Sequence, residues 1–109
     1  MSEPTLVQVF GANATQTSTD LVIKKADLVA VGLTVSSTNS AESLLVSLLK
    51  LWQTYLTPAN LEANTEQQIS IEDSYQQITT RGTTQYRQFS KTINLQIVDN
   101  TSDIDPDLF

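Results

Sequence analysis

The stretch Gln88-Phe89-Ser90-Lys91-Thr92-Ile93-Asn94-Leu95-Gln96-Ile97 decides the fold. Its odd positions are Phe89, Lys91, Ile93, Leu95 and Ile97, and its even positions are uniformly polar. Period-two alternation of this kind marks a β-strand with one dry and one wet face. Working outward, residues 67–98 fold back about Gly82 into one long antiparallel hairpin, with 79–84 as the turn region. The fold-back places Ile69 opposite Leu95, Ile71 opposite Ile93, and Tyr75 opposite Phe89. In the same register Asp73 meets Lys91, so the charges on the apolar face form a pair. A slip by one residue would turn every apolar side chain to water, which pins the register.

Upstream, Asn39-Ser-Ala-Glu42 opens a helix expected over 40–57. Asn39 is the expected N-cap, and Glu42 completes a variant capping box. Pro58 is the expected terminator. Ala41, Leu45, Leu48, Trp52 and Tyr55 form a core-facing stripe at spacings of four and three, and Ser43, Ser47, Lys50 and Thr54 form the polar strip. Leu44, Leu49, Leu51 and Leu56 widen the apolar arc beyond what a small sheet can cover. Trp52 and Tyr55 read as core rather than as a stacking platform. Residues 5–10 and 21–25 read as short strands, 12–19 and 59–66 as polar loops, and 26–35 as either a helical turn or a strand. The expected fold is α+β: an antiparallel sheet built on the hairpin, packed against the helix, with extended arms at both ends. Residues 1–98 make the domain and 99–109 an acidic C-terminal arm.

Composition excludes several chemistries. The 109 residues carry six basic and twelve acidic side chains, a net charge of −6, with no stretch basic enough to track a phosphate backbone. Nucleic acid is therefore not an expected partner. There is no cysteine and no histidine, which removes disulfides, thiolate metal sites and the commonest general base. The opening Met-Ser-Glu-Pro has neither a basic nor an apolar region, so no export signal is expected. The run Leu44–Leu56 is too short and too interrupted to span a bilayer, so no membrane association is expected. Ser, Thr, Asn and Gln fill 42 positions, a composition suited to hydrated protein–protein contacts as well as to an ordinary β-rich surface.

The motifs that could carry chemistry have plainer readings. Glu72 and Asp73 are adjacent, so a strand points them to opposite faces and they cannot converge on a substrate. Alternating aspartates at 99, 103, 105 and 107 invite a calcium reading, but the turn glycine and closing bidentate Glu of a calcium loop are missing. The tail is then either a solvated segment or an arm that docks on a neighbour through Leu108 and Phe109. Arg81 and Arg87 flank the turn, either as a contact knob or as charges keeping an exposed tip soluble. No nucleophile–base pair or metal cluster can be assembled, so neither an enzyme nor a bound cofactor is expected.

Several segments together carry a resemblance: Val-Phe-Gly-Ala-Asn-Ala at 9–14, Leu-Val-Ile-Lys-Lys-Ala-Asp-Leu at 21–28, Asn-Ser-Ala-Glu-Ser-Leu-Leu-Val at 39–46, Tyr-Arg-Gln at 86–88 and Ile-Asp-Pro-Asp at 104–107. On these the chain resembles small structural proteins encoded by tailed phages of cyanobacteria and related prophage-like clusters. The resemblance implies a virion component made in the host cytoplasm, foremost a capsid cement (decoration) protein that clamps neighbouring capsomers. Its partners would be the major capsid protein or other virion proteins. A neck or tail component is the alternative within that class, and a small intracellular binding or regulatory module the alternative outside it. The apolar excess on the helix further predicts a homodimer or homotrimer, with Leu44, Leu49, Leu51 and Leu56 at or near the contact.

Overall fold

The computed structural model describes residues 3–99 and 104–109 and has the α+β architecture. Helix α1 (Leu6–Phe10) is followed by a small pair of antiparallel strands, β1 (Thr15–Gln16) and β2 (Leu21–Val22). A 3₁₀ segment, Lys25–Val31, leads to the main helix α2 (Ala41–Tyr55) and a short α3 (Pro58–Ala63). The long hairpin follows, β3 (Ile69–Arg81) with β4 (Thr84–Leu95), and the chain closes on a 3₁₀ turn at Pro106–Leu108. The hairpin packs against α2 through its base. There the Ile71 N–H donates to the Leu56 carbonyl at 2.7 Å, fastening β3 to the end of the helix.

Several local expectations are corrected. Residues 5–10 are helical rather than extended. Thr5 caps the Gln8 N–H while the Gln8 side chain returns a bond to the Thr5 N–H, a reciprocal capping box that outweighs the β-branched Val7 and Val9 of this segment. The new helix sets Phe10 edge-on against Trp52, with ring centroids 6.2 Å apart at 89°. It stops at Gly11, whose φ of 108° suits glycine, and a Cβ there would lie 2.7 Å from the Asp27 Cβ. That close approach lets the Asp27 carboxylate accept from both the backbone and the side-chain amide of Asn13.

The cap of α2 is Ser40, not Asn39: its hydroxyl accepts from the Ser43 N–H at 3.1 Å. Asn39 instead bridges the loop before the helix, donating to the Thr34 carbonyl and accepting from the Ser36 N–H. Pro58 ends nothing by itself; it opens α3 at its first position, with Thr57 as cap, so half of the expected 59–66 loop is helical. The helix is also rotated from its expected orientation. Leu45, read as core, is 52% exposed, whereas Ser47, read as polar strip, is buried. Ser47 tolerates burial because its hydroxyl donates to the Ser43 carbonyl one turn back.

The core is small and partly polar. Ala14, Leu28, Leu33, Leu56 and Ile71 form its apolar part, with Ser47, Asn64, Gln67 and Ser70 buried among the rest. The Gln67 side-chain amide donates to the carbonyls of Thr57 and Ile69, while its Oε1 is buried without a hydrogen-bond partner.

Candidate functional site

The hairpin register follows the sequence pattern from its base to the charge pair and then breaks. Ile69 faces Leu95, Ile71 faces Ile93 and Asp73 faces Lys91, as the alternation predicts. Beyond Asp73 a β-bulge sets Ser74 and Tyr75 against the single residue Ser90, so Phe89 pairs with Gln76 rather than with Tyr75. The bulge shows in the sequence of β3 only as a change of phase, from apolar residues at odd positions (Ile69, Ile71, Tyr75) to Ile78 at an even one. Strand pairing then runs to Arg81 and Thr84, shrinking the turn to Gly82-Thr83. Gly82 has a φ of 63° and, among the described residues, no non-glycine has positive φ, Thr83 included, which is the pattern of a type II′ turn.

At the bulge the covering layer also ends. Lys91 Nζ donates to Asp73 Oδ1 at 2.6 Å and to Gln53 Oε1 on α2 at 2.7 Å. The Lys91 ammonium, and after it the Gln53 amide, hold the Asp73 carboxyl below its ordinary value of 3.8. Asp73 is nevertheless solvent-facing, so the pair marks the rim of the packed region rather than part of the core.

Past that rim, residues 76–89 project as a two-stranded ribbon. The ribbon and its bulge present large apolar groups to solvent: Phe89 is 66% exposed, Tyr75 64% and Ile78 55%. Register places Ile78 beside Arg87 and Phe89 beside Gln76 on one face, and Tyr86 beside Thr79 on the other. Two basic groups punctuate it. The Arg87 guanidinium donates to Gln76 Oε1, and the Arg81 guanidinium sits 4.3 Å from the centroid of the Tyr86 ring. Arg87 thus shares a face with Ile78 and Phe89, and Arg81 shares the other face with Tyr86, so each face of the ribbon carries one arginine beside apolar groups. No carboxylate lies within 76–89.

The residues expected to make contacts are distributed differently. Leu44, Leu49 and Leu51 are half-buried on α2. Leu56 is 5% exposed inside the protomer and offers no side-chain surface to a neighbour. Leu108 is exposed, but its carbonyl accepts from Gln68 Nε2 at 2.9 Å, and half-buried Phe109 lines a groove with Val9, Phe10 and Ile69 of the same chain. Among the described residues no three of His, Cys, Asp and Glu come together as a metal site would need; Asp103 of the tail lies outside them. None of the helices among them is long and apolar enough to cross a membrane.

The exposed ribbon was hidden in the sequence because alternation shows which side of a strand is apolar, not whether anything covers it. A length comparison could have exposed it. Thirteen strand residues extend about 43 Å. Fifteen helical residues extend only about 22 Å. One helix therefore cannot cover one hairpin. The architecture defines an α+β body bearing a projecting, apolar and basic hairpin. Comparison with known families, with characterised proteins and with solved structures finds no match to this chain.

Proposed function

We propose that this protein is a structural component of a phage particle, of the cement type, that binds assembled capsid proteins and clamps neighbouring capsomers. The observation that carries the reading is the distal hairpin, whose apolar side chains stand in water without cover. Exposed apolar surface of this kind marks protein contacts. An isolated two-stranded ribbon is marginally stable in water and gains most from docking against another surface. The segment resemblance to phage structural proteins supports the particular partner. Binding only the assembled shell would stabilise that shell by mass action, and many copies would multiply a modest contact energy. The work is done by surface complementarity, with no group placed for catalysis.

The test uses purified virions and shells lacking this protein. Mass spectrometry of the virion is expected to find it in fixed ratio to the major capsid protein, and added protein is expected to sediment with the bare shells and raise their disruption temperature. A copy number of a few per particle would move it to the neck or tail. Absence from the virion would favour an intracellular binding module and end the proposal.

A further inference from the structure

The charge of this molecule is segregated along its long axis. Residues 76–89 carry +2 through Arg81 and Arg87, in a chain whose net charge is −6, which leaves −8 on everything else. The opposite end of the hairpin holds a complementary surface. Around its base runs a cleft of about 560 Å³ lined by Glu3, Glu66 and Asp107 together with Ile97, Val98 and Phe109. It adjoins a smaller apolar recess of about 220 Å³, which reaches Val9, Phe10 and Leu56. Phe109 and Gln68 line both, so the two form one groove. A ribbon tip bearing arginines beside aromatic and aliphatic groups matches a groove lined by both carboxylates and apolar side chains.

We propose that the hairpin tip of one copy docks in the acid-lined groove of a second copy, so that the protein self-associates head to tail. The contact cannot form within one chain. The groove lies beside residues 67–68 and 96–98, at the root of the hairpin, while the tip stands roughly 40 Å away at the far end of the paired, bulged strands. Tip and groove are different surfaces of the same molecule, so the contact is heterologous and generates a ring or a chain rather than a two-fold dimer. The charged part of the contact is solvent-accessible and weakens with salt. This inference rests on the reading of the hairpin as an interaction surface, and it names a second copy as the occupant.

Because tip and groove are separate, each can be broken alone. R81E/R87E spoils the tip and leaves the groove intact; E66K/D107K does the reverse. Light scattering at low ionic strength is expected to show association of the wild-type protein and at least ~tenfold weaker association of either variant, since like charges then oppose across the contact. In an equimolar mixture of the two variants the wild-type tip meets the wild-type groove and the reversed tip meets the reversed groove, so every contact is again between opposite charges. The mixture is expected to recover association that neither variant shows alone. R81Q/R87Q, which removes charge without reversing it, serves if the reversed hairpin fails to fold, and circular dichroism monitors the fold of each variant. Variants that associate like wild type, or a mixture that associates no better than either variant alone, would overturn the proposal. So would a wild-type protein that stays monomeric at tens of micromolar; if that monomer still decorates shells, the cement reading stands and only the self-association falls. Association that persists in a protein unable to bind shells sinks the cement reading instead.

Discussion

Asp73 and Lys91 show how one residue pair can be located correctly and still have a different energetic meaning. On an apolar strand face a paired carboxylate and ammonium read as buried, and breaking a buried pair is costly. Here Asp73 is 73% exposed and Lys91 27%, so water and salt screen most of the attraction. The pair aligns the rim of the hairpin with Gln53 of α2 more than it stabilises the fold. Since Lys91 and Gln53 lower the folded-state pKa of Asp73 beneath 3.8, the stabilising contribution is present above pH 3.8 and is lost as pH falls through the depressed folded-state value. Asp73→Asn is therefore expected to lower stability slightly at neutral pH, with the gap to wild type closing in acid and narrowing at high salt. Urea titrations across pH at two ionic strengths measure this, and a gap that widens in acid would contradict the assignment.

At the scale of elements, α1 depends on what it packs against. Five residues are far too few for an independent helix, whose nucleation is unfavourable. Its reciprocal cap and the edge-on contact of Phe10 with Trp52 hold it in place. A double-mutant cycle with Phe10→Ala and Trp52→Ala is expected to give a coupling of about 0.5–1.5 kcal/mol in chemical denaturation. Trp52→Phe should retain most of the stability, because the indole N–H is buried without a hydrogen-bond partner and its removal forfeits no bond. A coupling near zero would mean that α1 is positioned by its cap alone.

The whole molecule divides into a body with a small, partly polar core and a ribbon that stands outside it. Every side chain from Gln76 to Phe89 except Thr79 is exposed. Replacing residues 77–88 by Asn-Gly would join Gln76 to Phe89, which already pair across the strands, through a two-residue hairpin turn. The shortened protein is expected to unfold at nearly the wild-type temperature while losing its attachment to shells or neighbours. Differential scanning calorimetry with a co-sedimentation assay checks both halves. A large fall in unfolding temperature would show the ribbon to be part of the core.

The sequence by itself determined the α+β class, the hairpin, its register from Ile69 to Asp73, and the position of α2 to within two residues. Those features rest on local periodicity and on side chains directly across a strand pair, and both are written in neighbouring residues. Tertiary structure decided the rest. It anchored the capped helix at 6–10 by setting Phe10 against Trp52, and it rotated α2 so that Ser47 went inside and Leu45 outside. It shifted the outer strand by one residue at Ser74–Tyr75 and returned Phe109 to its own chain's groove. Above all, it decided that the apolar face of the hairpin would outrun its cover. Periodicity reports how a side chain is directed relative to its own backbone, whereas exposure depends on what else in the chain is long enough to reach it.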